Sequence, residues 1–372
     1  MEGIINVMMV KNEVLFEENQ GTGWIILNRP KALNALSLRM VKDIYKQLRV
    51  WAHNERISLV CIKSQSEKAF CSGGDVRAIY ESVKLNPDSM VPKEYFITEY
   101  KMDLLIHEYK KPVLVFMDGI VMGGGVGLSV GARFRIITEK TKWAMPEMNI
   151  GFFPDVGANY FLNQMPGRIG LYLALTAKII MKGDILSTDM ADYYLDSSRL
   201  MEVEAFIKSH VWKPDNIERE MAEFLKSICV RPHELPHNLN VEKINQYFQY
   251  DTIEQIIYSL GEGASNGDEW ALETKKTLLK KSPTSLKVTI ELMKRGKGKK
   301  LRESFAMDTE VALNFLHTKD FFEGVRAVLV DKNQMPKWNP DSFNEISDES
   351  INQFFQADWK NESNPFNSPN DN

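Results

Sequence analysis

Residues 119–155 read GIVMGGGVGLSVGARFRIITEKTKWAMPEMNIGFFPD, and the order of residue types in them sets the architecture. The segment just before, KPVLVFMDG (Lys111 to Gly119), is a short apolar strand running into a turn. The glycines at 123, 124 and 125 then open an apolar run that can become helix. Strand, glycine turn and helix form an anion-binding geometry, because the first amides of a helix lack partners and carry the positive end of its dipole. No Lys-Ser or Lys-Thr follows the glycines, and Gly125-Val126-Gly127 continues as Leu-Ser-Val-Gly. Both the phosphate-loop and the dinucleotide spacings are therefore excluded. A tight turn needed only for packing explains the cluster equally well at this level.

The same order occurs upstream. Ile57 to Lys63 is a strand, and AFCSGGDVRAIY (Ala69 to Tyr80) is a glycine turn entering helical sequence. Two such turns on neighbouring strands can each give one backbone N–H to a single oxygen, which is how an oxyanion hole is built. Before them, Glu13 to Glu18 and Gly23 to Asn28 form a hairpin around Asn-Gln-Gly-Thr, with Trp24 to Leu27 as core residues. Ser37 caps a helix whose apolar positions 38, 41, 44, 45, 48 and 51 fall on one face. Pro92 to Tyr109 is a further helix, carrying Glu99 and His107. Arg133 to Thr138 reads as a strand, and 159–165, 169–176 and 188–194 as short helices. From about residue 201 the alternation stops and the pattern is helical. It is broken by a loop at 231–238, a Gly/Ser/Asn loop at 261–267 and the basic segment 294–302. The polar residues beyond Ala357 read as a disordered tail.

Two carboxylates stand out. Glu147 and Asp155 are eight residues apart, and Pro146, Gly151 and Pro154 prevent one helix from joining them. They sit on a folded-back, unusually apolar loop, where burial raises a carboxylate's pKa or demands a charged partner. Ordinary surface acids in a loop are the alternative. The six histidines make no catalytic pattern and no Gly-x-Ser-x-Gly elbow is present, so a Ser-His-Asp hydrolase has no support.

Composition sets outer limits. A chain of 372 residues with 44% hydrophobic content buries a large core, one main domain with an appendage. Its net charge of -4 excludes a general nucleic-acid-binding surface. Three scattered cysteines, Cys61, Cys71 and Cys229, make neither a disulfide framework nor a zinc site. The absence of a basic leader in MEGIINVMMVKNEVLF and of any long apolar run implies a cytoplasmic protein without membrane contact.

The turn pair AFCSGGD and GGGVGLS followed by MPE resembles the enoyl-CoA hydratase/isomerase (crotonase) superfamily. EMNIGFFPDVGANYFL and DFFEGVRAVLVDKNQMPKWNP (Asp320 to Pro340) resemble its 3-hydroxyisobutyryl-CoA hydrolase branch. The likeness runs from Glu13 to Phe355. It implies an α/β fold: a crotonase-like spiral of repeated ββα units over residues 1–200, then a helical C-terminal region over 201–356 and the tail at 357–372. It places an oxyanion hole on the amides of Ser72 and Gly124, catalysis on Glu147 and Asp155, and substrate binding on Glu99 together with Gly124, Glu147 and Asp155. Of the two glutamates its hydratases use, the first position is Gly127 here and the second is Glu147. One remaining glutamate does not suit hydration of a double bond, whereas thioester cleavage needs attack at one carbonyl carbon. The expected reaction is hydrolysis of 3-hydroxyisobutyryl-CoA, as in valine breakdown, with 3-hydroxypropionyl-CoA as a further candidate substrate. A hydratase or isomerase is the second reading, a non-catalytic acyl-CoA-binding protein the third. Coenzyme A belongs to the substrate, Lys31 and Arg77 are its expected contacts, no metal or other cofactor is implied, and a homo-oligomer is.

Overall fold

A strand buried along its whole length, an edge strand that becomes exposed toward the turn, and a two-residue turn give the hairpin at the start of the fold. In the computed structural model, which describes residues 12–230, 234–359 and 362–367, β1 (Val14–Asn19) pairs antiparallel with β2 (Thr22–Leu27). Gln20 and Gly21 connect them with φ of 47° and 78°, the left-handed pair that matches a right-twisted hairpin. Ser37 caps α1 (Leu38–Ala52), accepting from the Met40 amide at 3.1 Å. Met40, Val41, Ile44, Leu48 and Trp51 fill the core side of that helix.

From β2 onward every strand pair is parallel. β3 (Leu59–Ser64) lies beside β2, and β4 (Ala69–Cys71) leaves it for a second sheet. The pattern repeats in β5 (Val113–Met117) with β6 (Ile120–Met122), and in β7 (Phe134–Ile137) with β8 (Lys142–Ala144). β9 (Tyr193–Tyr194) closes the edge. The large sheet runs β1-β2-β3-β5-β7-β9 and the small one β4-β6-β8. Helices follow the short strands: α2 (Val76–Leu85) and α3 (Val91–His107) after β4, and α4 (Gly124–Val130) after β6. This is the expected spiral of strand, strand and helix.

A parallel sheet must be covered on both faces, and the two-residue period sorts its side chains accordingly. Ile25, Leu27, Val60, Ile62, Val113 and Val115 enter the core beneath α1 and α3. Trp24, Ile26, Leu59, Cys61, Leu114 and Phe116 face the other way, where Val203, Ile207, Ile217, Met221 and Leu225 meet them. Those residues belong to the helices Leu200–Ser209 and Ile217–Ile228. A boundary at residue 200 therefore divides the sequence pattern but not the packing, since these two helices form the outer layer of the spiral. The later helices Pro283–Gly296, Leu301–Phe315 and Lys319–Val325 instead cover the loop after β8. Phe152 packs with ring centroids 5.3 Å from both Phe315 and Phe321.

Three expectations are corrected. Residues 188–194 are not a helix: the helix there is Gly183–Ser187, and Tyr193 pairs beside Ile136 in the sheet. The supposed loop at 261–267 is mostly helix, Ile253–Ser265, because its glycines give room to neighbours: a Cβ on Gly263 would overlap the Tyr247 hydroxyl. The tail is not all disordered. The Trp359 indole and the Asn364 amide donate to Glu310 at 2.7 and 2.9 Å, and Phe366 stacks on Phe305. The leader reading (residues 1–11), His233 and the tail's last residues, 368–372, lie outside the described residues.

Candidate active site

β4 and β6 are neighbours, so the turns that follow them lie side by side. A Cβ on Gly124 would sit 3.3 Å from the Gly74 nitrogen and would overlap Glu99 Oε1. Only a glycine leaves that approach open. The amides of Gly74 and Gly124 meet no acceptor among the described residues. The expected donor Ser72 is not one of the pair, since its N–H donates to the Leu33 carbonyl at 3.1 Å. Strand phase explains the correction. The extended segment bonds to residues 33–36 through the amides of Ser72 and Asp75 and the carbonyl of Gly73, which accepts from Leu36 at 2.8 Å. Gly74, bridged to Leu36, has its own N–H directed away from that ladder. The free pair, a candidate oxyanion hole, is thus Gly74 with Gly124.

Glu147 reaches the same place from the other side. Pro146 starts a tight 3-10 turn over Glu147–Ile150, and Gly151 ends it at φ +65°. The turn holds the Glu147 carboxyl against Gly123, where a Cβ would lie 2.7 Å from Oε1. Its other oxygen, Oε2, is buried with no hydrogen-bond partner. The loop continues through the left-handed Val156 (φ +53°), and this bend turns Asp155 inward. The Tyr100 hydroxyl donates to Asp155 Oδ2 at 2.7 Å, and the Tyr95 hydroxyl donates to Glu99 Oε1 at 2.9 Å. Glu147, Asp155 and Glu99 are only 7, 5 and 2% exposed. They are buried acids on one cavity and not surface loop residues. Asp103, one turn beyond Glu99 on α3, packs against Gly127 instead and is wholly buried.

Among the described residues no basic side chain offsets this negative group. Burial pushes Glu147 well above the usual carboxylate range, and the charge of Asp155 pushes it further. Burial and Asp155 do the same to Glu99. Asp155 is lifted less, to about 7, because the Tyr100 hydroxyl and its own backbone amide favour the ionised form. It therefore carries the first negative charge, while the others hold their protons. Tyr100→Phe removes a donor that stabilises the anion, so it raises the proton affinity of Asp155. A bond to a charged group is worth about 1.5–3 kcal/mol, or roughly 1 to 2 pH units. The acid limb of the kcat/KM profile is expected to move up by about that much; a limb that stays in place or moves down would refute the assignment.

Gly74, Gly124, Glu99, Glu147 and Asp155 line a cavity of ≈ 480 Å³. Lys31 and Arg77 stand at its wall as expected, and Lys332 joins them from the C-terminal part, which the sequence reading did not select. Arg77 pairs with Glu81 at 2.9 Å. Asp75 caps α2 and pairs with Arg29 at 2.7 Å, so it holds the turn. Val328 and Leu329 supply apolar wall. Gly127, where the resemblance places the first of the hydratases' two glutamates, faces Asp103 and Val156 and has no room for a side chain.

A family model described as enoyl-CoA hydratase/isomerase matches residues 22–355. The 3-hydroxyisobutyryl-CoA hydrolase, mitochondrial, of Gallus gallus is 40% identical over 349 residues, covering 92% of this chain and 89% of its own length. The protein of the same name from Homo sapiens is 39% identical over 347 residues, covering 93% and 89%. Among solved structures, a carnitinyl-CoA dehydratase from Mycobacterium thermoresistibile superposes with a TM-score of 0.84 at 30% identity, covering 94% of this chain and 98% of that one. An enoyl-CoA hydratase from Rhodobacter sphaeroides gives 0.82 at 30% identity, covering 92% and 97%.

Proposed function

The chain belongs to the enoyl-CoA hydratase/isomerase family, and from that membership we infer that it hydrolyses the thioester of 3-hydroxyisobutyryl-CoA to the free hydroxy acid and coenzyme A. The observation that carries this reading is the meeting of two unpartnered amides, Gly74 and Gly124, on the cavity that the Glu147 carboxyl also lines. The thioester carbonyl oxygen accepts from the two amides, which take up the charge that gathers there in the transition state. One such donor is worth about a hundredfold to a thousandfold in rate. Glu147 attacks the carbonyl carbon after passing its proton to Asp155, the acid of the set that ionises first. The carbon–sulfur bond breaks to leave an acyl-enzyme anhydride. Free thiols have a pKa of about 8.5, so coenzyme A departs as thiolate with little help. Asp155 passes the proton it took from Glu147 to the departing thiolate and, ionised again, deprotonates a water that attacks the Glu147 carbonyl carbon of the anhydride, which releases the hydroxy acid and restores Glu147.

Glu99, oriented by Tyr95, is proposed to hold the substrate's 3-hydroxyl. The reaction uses water and the site's own carboxyls, with coenzyme A as part of the substrate. Lys31, Arg77 and Lys332 are proposed for its phosphates.

The likeness to a solved dehydratase and a solved hydratase favours a second reading, hydration of an enoyl-CoA or its reverse. The filled space at Gly127 opposes it. A panel of acyl-CoA substrates decides: this chain is expected to free thiol from 3-hydroxyisobutyryl-CoA, and about 10⁴-fold less efficiently from isobutyryl-CoA, the rejection a buried site built to hydrogen-bond a substrate hydroxyl gives the analogue that lacks it. Consumption of crotonyl-CoA without thiol release would sink the proposal. Among the described residues no helix is long and apolar enough to cross a membrane. The relatives' names say mitochondrial, so cytoplasmic residence stands as a proposal that cell fractionation tests. A homo-oligomer is likewise proposed, for light scattering to check.

A further inference from the structure

α3 and α4 meet twice in the same way. Glu99 lies over Gly124, and one turn further along both helices Asp103 lies over Gly127. A Cβ on Gly127 would overlap Asp103 Oδ2 and come within 2.8 Å of Val156 Cβ. Yet neither oxygen of Asp103, a wholly buried side chain, has a hydrogen-bond partner. Asp308, buried close by, shows what a settled buried carboxyl looks like here: it accepts from the Gly157 amide and from Asn159, each at 2.7 Å. Asp103 has no such role in packing.

We propose that Asp103 is a positioning residue of the site: as an un-ionised acid it fills the room left by Gly127, and its loss of a proton in alkaline solution turns the neighbouring carboxyls off. This rests on the thioesterase reading for its activity readout alone. The titratable groups whose charge reaches Asp103 are Glu99 on its own helix, Cys71 from β4 and Asp155 from the loop after β8; His107 lies one turn further along the helix. None supplies a positive charge. His107 is buried with an unpartnered Nε2, and burial pushes it down to about 4. Burial pushes the Asp103 carboxyl well above its usual range, and the charges of Glu99 and Asp155 push it further. A second anion in this pocket repels Asp155, raises the proton affinity of Glu147 and favours separation of α3 from α4.

The test is Asp103→Asn, which keeps the shape and cannot ionise. Thiol release from 3-hydroxyisobutyryl-CoA at pH 7 is expected within about threefold of the native enzyme, with KM unchanged. The alkaline limb of kcat should move up by at least about one pH unit. Thermal unfolding, followed from pH 6 to 10, should lose part of its alkaline decline in the variant. A tenfold or greater loss at pH 7 in a folded variant would overturn the proposal by showing that Asp103 works ionised; an alkaline limb and an unfolding profile identical to the native ones would overturn it as well. If the native chain releases no thiol, the functional reading fails, and the unfolding profiles still decide the proposal.

Discussion

Glu147→Gln is expected to lower thiol release from 3-hydroxyisobutyryl-CoA by about 10³-fold or more while leaving the fold intact. Gln has the same shape, and Glu147 holds its proton in the resting site, so the variant replaces one neutral group by another. What it loses is the capacity to become a carboxylate beside the two amides. A 10³-fold loss corresponds to about 4 kcal/mol of transition-state stabilisation, which no change in substrate binding alone supplies at saturating substrate. The prediction is therefore on kcat. A fall in KM alone, or a loss below tenfold, would remove Glu147 from the chemistry. A single turnover of the native enzyme in heavy-oxygen water separates two routes that share this residue. Label entering Glu147 supports the anhydride. Label found only in the hydroxy acid makes Glu147 a general base on water.

Much of this site was legible because breakers and periodicity are local signals. Pro146, Gly151 and Pro154 forced the loop that carries Glu147 and Asp155, and that loop does turn both acids inward. The donor pair was half legible. Which amide of AFCSGGD is free depends on the strand's pairing with residues 33–36, a long-range fact, and the choice of Ser72 was out of phase with Gly74. Asp103 was hidden for another reason. On α3, Tyr95, Phe96, Tyr100, Met102, Leu104 and Ile106 are buried along with Glu99 and Asp103, so no polar face marks the acids as special. The available signal was a pairing of spacings: acids at 99 and 103 on one helix, glycines at 124 and 127 on the next. β9 is two residues long and gave no period to read. In the tail, Trp359 and Phe366 were the clue that polar composition masked.

Asp155→Asn is expected to abolish turnover and yet to stabilise the protein, most of all in alkaline solution. The folded chain lifts this carboxyl to about 7, against about 3.9 when unfolded. A raised folded pKa favours the protonated form, so the stability that goes with it is fully present below about pH 4. It is lost as the pH rises from there through about 7, where the unfolded chain has already given up the proton. The difference of about three pH units amounts to about 4 kcal/mol at pH 8. Asn keeps the bond from Tyr100, since its Oδ1 accepts as the carboxylate does, and it carries no charge to bury. Part of the gain returns when Glu99 or Glu147, freed from the repulsion of Asp155, ionises in its place. A net gain of about 2–4 kcal/mol at pH 8 is therefore expected, or roughly 3–5 °C in Tm for a chain of this size. At pH 5 the gain should be about half that or less. Equal shifts at both pH values, or a lower Tm for the variant at pH 8, would mean that the carboxyl is stabilised by something other than Tyr100 and that the buried acids do not strain the fold. A stabilised but inactive Asp155→Asn has a physical reason: a carboxyl kept at about 7 by burial can pass a proton in either direction near neutral pH, and the folded state gives up stability to hold it there.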